Sequence, residues 1–174
     1  MRELRRMMTA SRPFRVLVVC TGNTCRSPMA EALLRRLFAE AGQPAEIRSA
    51  GTVSRTGGLA HPDAVAAAQA FDLDLSSHKT QPLTEGLVQW ADTILAMHPA
   101  HAHAVRELDS TADVRLLTEY DPHRSAHRTG REGIEDPIGQ SLEVYASVFE
   151  EIRRCLEEFV ARQLRPSTSG QSAG

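Results

Sequence analysis

The sequence predicts an α/β protein with a four-stranded parallel sheet, and two observations support this fold class. Short apolar segments rich in β-branched residues alternate along the chain with longer segments whose apolar residues have helical spacing. Strands that alternate with helices pair in parallel through right-handed crossovers. A loop of unusual composition follows the first strand, and binding sites in such folds lie at the carboxyl ends of strands. A chain of 174 residues is expected to form one domain.

Each element is predicted from its local pattern. The strands are the four short apolar segments, residues 14–20, 45–50, 93–97 and 114–117. The first helix is predicted over residues 28–41, where Ala30, Leu33, Leu34 and Leu37 form an apolar stripe. The other helices are predicted over residues 61–70, over 84–90, from Pro99 onward and over 141–164. A polar loop over residues 123–135 precedes the last helix.

Composition narrows the classes of function. A net charge of -2 gives no electrostatic argument for nucleic acid binding, and no apolar segment is as long as a membrane span. Three cysteines, and a basic first segment without the apolar core of a signal sequence, indicate a reducing, cytoplasmic setting. We expect an N-terminal arm over residues 1–13, one domain over 14–164 and a C-terminal tail of disordered composition over 165–174.

The most informative segment is the loop from Cys20 to Ser27, Cys-Thr-Gly-Asn-Thr-Cys-Arg-Ser, between the first strand and the first helix. Free N–H groups at a helix N-terminus favour an anion, and such a loop can place its amides around a tetrahedral oxyanion. These amides and a nearby guanidinium favour the thiolate form of Cys20. Arg26 can hold two phosphate oxygens with its planar guanidinium. The loop therefore predicts a phosphate site with a nucleophilic cysteine.

The other residues of the loop fit this interpretation. Gly22 and Asn23 tolerate backbone conformations that a tight turn requires. Ser27 is expected either to donate a hydrogen bond to the thiolate or to cap the helix, and Pro28 to occupy the first helical position. A redox or metal pair that includes Cys25 is disfavoured, because four residues separate it from the first cysteine.

This loop and three further segments resemble the low-molecular-weight protein phosphatases, a cysteine-dependent family of protein-tyrosine and protein-arginine phosphatases. The segments are residues 48–51 (Arg-Ser-Ala-Gly), 77–79 (Ser-His-Lys) and 135–137 (Glu-Asp-Pro). The resemblance implies a three-layer αβα, Rossmann-like architecture, the phosphotyrosine phosphatase I fold. It also implies that Cys20, Arg26 and Asp136 are catalytic. The implied phosphate-binding residues are the rest of the loop, Thr21, Gly22, Asn23, Thr24, Cys25 and Ser27.

Asp136 is the general acid that the resemblance implies. Cleavage of a phosphate ester or phosphoramidate needs a proton for the leaving group and then activation of water. Asp136 lies a few residues before the last predicted helix, as the family's acid does. Asp121 belongs to the other Asp-Pro pair and is interpreted as a turn residue. Glu135 is the alternative acid.

Three further residues have a structural interpretation beside the functional one. Ser49 and His78 resemble the family residues that support Asn23 through a chain of hydrogen bonds. From the residues alone, a loop serine and a solvated histidine would be the simpler interpretation. Cys25 either forms a reversible disulfide with Cys20, as in the family, or is a small buried residue packed under the loop.

Thr24 and the missing aromatic residues predict the substrate. Tyrosine-selective members of the family usually have isoleucine or leucine at the position of Thr24, whereas protein-arginine phosphatases have threonine. Tyrosine-selective members also place aromatic residues beside the pocket, but residues 52–58 and 138–140 contain none. We therefore expect removal of phosphate from phosphoarginine in proteins, with phosphotyrosine as the alternative. Ile138 departs from the arginine-type pattern, in which phenylalanine is usual.

Other classes are less favoured. Thioredoxin-linked arsenate reductases share the loop but need two more cysteines, and none occurs between Cys25 and Cys155. A phosphate-binding module would need no acid such as Asp136. No metal or organic cofactor is expected, since His101 and His103 are two residues apart and do not share a helical face. The expected partner is a phosphorylated protein, not nucleic acid or membrane, and the chain is expected to be a monomer or weak dimer.

Overall fold

The computed structural model describes residues 12–124 and 132–165, and the sheet within them has four parallel strands. Apolar, β-branched segments form β1 (Phe14–Cys20), β2 (Ala45–Gly51), β3 (Thr93–Ala96) and β4 (Val114–Leu116), in the spatial order β2-β1-β3-β4. The predicted parallel sheet is confirmed. The fourth strand is shorter than predicted because Leu117–Tyr120 turns into a 3-10 helix.

The described residues contain five α-helices in the predicted order, with one local difference. They are α1 (Arg26–Glu40), α2 (Pro62–Gln69), α3 (Glu85–Trp90), α4 (Pro99–Leu108) and α5 (Leu142–Leu164). The first helix begins two residues earlier than predicted, so Pro28 occupies its third position, where an amide is still not needed. Cys25 is the N-terminal cap residue and no side chain caps this end, so the capping role expected for Ser27 is wrong.

The helices cover both faces of the sheet and form the outer two of three layers. Successive side chains of β1 point to opposite faces, so Val16 and Val18 contact one core and Leu17 and Val19 contact the other. The first core is shared with α1, α2 and α5, and the second with α3 and α4. A buried apolar β1 with helices on both sides explains why its sequence is continuously hydrophobic.

The sheet order places the predicted loop between two neighbouring strand ends. Cys20 at the end of β1 is in register with Gly51 of β2, and Val19 is in register with Ala96 of β3. After β1 the chain continues to β2 on one side of β1, and β3 pairs with the other side of β1. The carboxyl end of β1 is therefore a topological switch point of the sheet. The carboxyl ends of three neighbouring strands therefore lie beside one loop.

Parts of the sequence predictions fall outside the described residues. These are residues 1–11 of the N-terminal arm, residues 125–131 of the polar loop and residues 166–174 of the tail. Of the helices within residues 12–124 and 132–165, none has the length and apolar character needed to cross a bilayer.

Candidate active site

The loop between β1 and α1 is tightly folded around the side chain of Cys20. The Cys20 Sγ lies 2.9 Å from the hydroxyl of Ser27, and the cysteine is only 2% exposed. Asn23 adopts a left-handed conformation with φ of 57°, which asparagine tolerates better than most residues. The Ser27 oxygen accepts from the side-chain amide of Asn23, so the hydroxyl proton of Ser27 is available to the sulfur. The structure thus places Ser27 where one of its two predicted roles required it.

Arg26 lies buried beside the loop, and its guanidinium has three partners among residues 12–124 and 132–165. Its Nη1 donates to the carbonyl oxygen of Ile134 at 3.0 Å, and its Nη2 donates to the hydroxyl of Thr21 at 3.4 Å. The same Nη2 lies 3.2 Å from Oδ2 of Asp136. The Nε is buried and has no hydrogen-bond partner among the described residues. An oxyanion bound in the loop would give this N–H the acceptor that a buried donor requires.

Asp136 lies at the open side of a cleft next to Arg26. The cleft has a volume of about 420 Å³ and is lined by Arg26, His98 and residues 132–136. The Asp136 side chain is 46% exposed, so it can meet a leaving group and solvent, while its Oδ1 accepts from the amide of Ile138 at 3.2 Å. Glu135, the alternative acid, lines the same cleft.

The segment that carries Asp136 is held against the end of β3. The amide of Ile134 donates to the carbonyl of Met97 at 2.7 Å. A Cβ on Gly133 would lie 2.6 Å from the same carbonyl oxygen, so this close approach requires glycine. Asp121 lies elsewhere, at the end of the 3-10 helix, 3.6 Å from Arg154 of α5. Its Oδ1 also accepts from the amide of His123 at 2.9 Å, two residues further along, as expected for a turn residue.

Ser49 and His78 both contact Asn23, as the family resemblance implied. The Asn23 amide nitrogen donates to the hydroxyl of Ser49 at 2.9 Å and to that of Ser27 at 2.8 Å. The Nε2 of His78 donates to the Asn23 carbonyl at 2.8 Å. Every polar group of Asn23 in these contacts is buried, so each bond lost would leave a group unsatisfied.

Two residues that sequence reasoning missed complete this support. The backbone amide of Gln81 donates to Oδ1 of Asn23 at 3.0 Å, and its side-chain amide donates to the carbonyl of Ser49 at 2.9 Å. Ser49 in turn donates to Glu31 of α1. Gln81 lies 58 residues from Asn23, and no local pattern marked it. Glu31 could have been identified from its position, because it lies about one turn into a helix that starts at the loop.

Cys25 packs beneath the loop against α5. It is 3% exposed, and its Sγ lies 3.5 Å from the hydroxyl of Tyr145. Burial raises the pKa of the Cys25 thiol. The same tyrosine hydroxyl donates to Nδ1 of His61 at 3.2 Å, and the His61 amide donates to the carbonyl of Thr24 at 2.8 Å. These contacts tie the back of the loop to α5 and to the start of α2.

His101 is a further neighbour of the loop that sequence reasoning missed. Its Nε2 lies 2.8 Å from the hydroxyl of Thr21, and the residue is 5% exposed. Burial, and then the positive charge of Arg26, lower the pKa of His101 to about 4, so the ring is neutral at pH 7. His103 instead points to solvent near Glu107. Within the described residues, no group of three or more histidine, cysteine or acidic side chains could hold a metal ion.

The described segments beside the loop and after Asp136 expose two aliphatic side chains and contain no phenylalanine, tyrosine or tryptophan. Val53, whose amide donates to the carbonyl of Thr21, is 77% exposed, and Ile138, two residues after Asp136, is 53% exposed. Thr24 lies half-buried in the loop, with its hydroxyl 3.6 Å from the Cys25 sulfur. Residues 52–59 and 137–141 contain no phenylalanine, tyrosine or tryptophan.

The arrangement combines the buried sulfur of Cys20, a guanidinium whose buried Nε has no partner in the described part of the chain, and a carboxylate at the solvent side. The sulfur lies in the loop, and the carboxylate borders the cleft next to the guanidinium. Such a constellation can hold a tetrahedral oxyanion, attack its central atom and protonate the group that leaves.

Comparisons with known proteins agree with this geometry. The model of the family described as low molecular weight phosphotyrosine protein phosphatase matches residues 15–168. A protein-arginine-phosphatase of Bacillus subtilis (strain 168) is 35% identical over 151 residues, 86% of this chain and 96% of the relative. The probable low molecular weight protein-tyrosine-phosphatase EpsP of Ralstonia nicotianae is 35% identical over 149 residues, 84% of this chain and 94% of the relative. Among solved structures, a cysteine-to-serine mutant of YwlE arginine phosphatase with a phosphorylated active-site serine has a TM-score of 0.77 and 33% identity, over 89% of this chain and 98% of that one.

Proposed function

The chain belongs to the low-molecular-weight protein phosphatase family and is a hydrolase that acts on phosphoproteins, and from this premise we propose that it removes phosphate from phosphoarginine residues. The observation that carries the proposal is Thr24 in the loop, in a site whose neighbouring segments, residues 52–59 and 137–141, contain no phenylalanine, tyrosine or tryptophan. The proposed unit is residues 14–164, acting in the cytoplasm without metal or cofactor, as a monomer or weak dimer.

In the first proposed step, Cys20 attacks phosphorus in line with the bond to the leaving group. A P–S bond forms and the P–N bond to the arginine side chain breaks, while Asp136 gives its proton to the departing nitrogen. Arg26 and the loop amides stabilise the equatorial oxygens, on which negative charge is concentrated. The Nε of Arg26, which is buried and has no partner within the described residues, supports this role.

In the second step, Asp136 takes a proton from water, which attacks phosphorus. The P–S bond breaks, inorganic phosphate forms and the thiolate of Cys20 returns. The half-exposed carboxylate of Asp136 is compatible with both steps because it borders the cleft and solvent. A phosphorylated active-site serine in a relative that carries serine for cysteine supports a phosphorylated enzyme intermediate.

Substrate preference follows from what the loop and rim offer to the leaving group. In this proposal the hydroxyl of Thr24, which is half-buried in the loop, accepts hydrogen bonds from the guanidinium of the substrate, which carries only donors. A phenyl ring would instead gain from aromatic side chains, and the exposed rim residues Val53 and Ile138 are aliphatic. Relatives named for arginine and for tyrosine are equally identical to this chain, so identity alone does not separate the two substrates.

Paired kinetics on phosphoarginine and phosphotyrosine peptides test the substrate. We expect a higher kcat/KM for phosphoarginine in the wild type, and a shift towards phosphotyrosine in Thr24→Ile. Thr24→Val is the matched control, because it keeps the shape of threonine and removes only the hydroxyl. A wild-type preference for phosphotyrosine, or an unchanged ratio in both variants, would overturn the assignment to phosphoarginine.

Cys20→Ser separates an enzyme from a phosphate-binding module. We expect this variant to lose hydrolysis of an aryl phosphate while it still binds inorganic phosphate, because the oxyanion contacts come from Arg26 and the amides. Hydrolysis at the wild-type rate in Cys20→Ser would remove Cys20 from the role of nucleophile.

A further inference from the structure

His101 connects a helix outside the loop to the guanidinium of Arg26. It lies in the first turn of α4, which follows β3, and it is buried while His103 on the same helix is exposed. Its ring contacts Thr21, the loop residue directly after Cys20, at 2.8 Å. Thr21 is also the acceptor for Nη2 of Arg26 at 3.4 Å. One hydroxyl therefore contacts both the histidine and the arginine.

Arg26 needs restraints that do not change during turnover. Of its three partners, Asp136 is half-exposed and changes its protonation twice in the proposed mechanism. When Asp136 holds a proton, its attraction to Arg26 weakens. The remaining partners are the carbonyl of Ile134 on Nη1 and the hydroxyl of Thr21 on Nη2. Contacts on two different nitrogens fix the plane of the guanidinium.

The hydroxyl of Thr21 is held in place by His101. Thr21 as a whole is exposed, so without a second partner its side chain could rotate towards solvent. An N–H of Arg26 can only donate, so the Thr21 oxygen accepts from it and the hydroxyl proton remains available to a neutral imidazole. In the other tautomer, the Nε2–H of His101 donates to the same Thr21 oxygen. A neutral ring is required in either case, since a protonated one would repel the guanidinium.

The surroundings of His101 favour the neutral ring. The groups that affect its charge are Arg26 from α1, His98 at the N-terminal cap of α4 and Asp136 from the cleft. Burial, then Arg26 and then His98 disfavour the protonated form, and Asp136 opposes them. The Nδ1 of His101 is buried without a partner among the described residues. The contact between Nε2 and Thr21 is therefore the hydrogen bond that the buried ring makes within this part of the chain.

We propose that His101 is a positioning residue that orients Arg26 through the hydroxyl of Thr21. The inference rests on the proposed function, because it assigns Arg26 to the phosphoryl oxygens. His101 itself does not touch the substrate. Its loss is expected to weaken oxyanion binding and catalysis together, since Arg26 contacts the phosphoryl group in both the ground state and the transition state.

Four variants test the proposal: His101→Ala, His101→Gln, Thr21→Val and the double variant His101→Ala/Thr21→Val. We expect His101→Ala to lower kcat/KM for an aryl phosphate about tenfold, the size of one hydrogen bond to a charged group. The inhibition constant of inorganic phosphate should rise by a similar factor. His101→Gln should restore most of both, because its amide reaches the position of Nε2. His103→Ala, on the same helix, is the control and should stay within about twofold.

The double variant distinguishes positioning from separate structural effects. If His101 acts through Thr21, Thr21→Val alone should cost about as much as His101→Ala, and the two losses should not multiply. Losses that multiply, or wild-type phosphate affinity in a folded His101→Ala, would overturn the proposal. Should His101→Ala fail to fold, phosphate affinity in His101→Gln and Thr21→Val still decides. A wild type that neither binds phosphate nor hydrolyses an aryl phosphate would instead refute the proposed function.

Discussion

Lowering the pH from 7 to 5 is expected to destabilise the folded protein by about 2 kcal/mol through His101 alone. An unfolded histidine has a pKa near its ordinary value of about 6.5, whereas burial and the charge of Arg26 lower the pKa of His101 to about 4 in the folded protein. Between these values the unfolded chain binds a proton that the folded protein does not. Stability therefore falls as the pH falls from about 6.5 to about 4.

The magnitude follows from the two pKa values. Each pKa unit between the unfolded and folded states corresponds to about 1.4 kcal/mol, so the complete loss of folding free energy below pH 4 is about 3 kcal/mol. More than half of this loss has occurred at pH 5. His101 is 5% exposed, so solvent screening does little to reduce this figure. A loss of this size is a substantial part of the total stability of a typical domain.

Urea denaturation of the wild type and His101→Gln at pH 7 and pH 5 measures this loss. Glutamine fills a similar space and does not titrate, and the remaining acidic and basic groups titrate alike in both proteins and cancel in the comparison. We expect the free energy of unfolding of the wild type to fall by about 2 kcal/mol more than that of the variant. Equal losses in the two proteins would show that His101 is not held neutral by its surroundings.

Three further substitutions have expected outcomes. Asp136→Asn should lower turnover of an aryl phosphate by about 10²–10⁴-fold, and a wild-type rate would remove Asp136 as the acid. Gly51→Ala would place a Cβ 2.5 Å from the carbonyl oxygen of Thr21 in the loop, so kcat/KM should fall by roughly 10²-fold. The control is Gly86→Ala, whose Cβ would meet no atom nearer than 4.0 Å and should leave kcat/KM unchanged. Equal rates in the two variants would refute the steric argument. Tyr145→Phe removes a hydroxyl with two partners, the buried Cys25 and the partly exposed His61, and should cost about 1 kcal/mol in urea denaturation. Tyr120→Phe, which packs through its ring, should cost less, and the reverse order would contradict the hydrogen-bond assignment.

The predictions that succeeded concern local patterns. The β1 segment is continuously apolar and β-branched, and the loop after it contains Gly22 and Asn23, so strand, turn and helix could all be located from neighbouring residues. The failures are also local. The first helix starts at Arg26 because the loop itself forms its cap, and no capping side chain marked that start. The fourth strand ends early in a 3-10 turn, which short apolar segments do not distinguish from a strand.

The sequence by itself determined the fold class, the family and the central loop with Cys20 and Arg26, because these depend on residues that are adjacent along the chain. Only the tertiary structure decided which distant side chains contact that loop. His101 lies 80 residues from Thr21, and Gln81 lies 58 residues from Asn23. Parallel strands bring their carboxyl ends to one edge of the sheet, so loops far apart in sequence meet there, and no local pattern records which of their residues will touch.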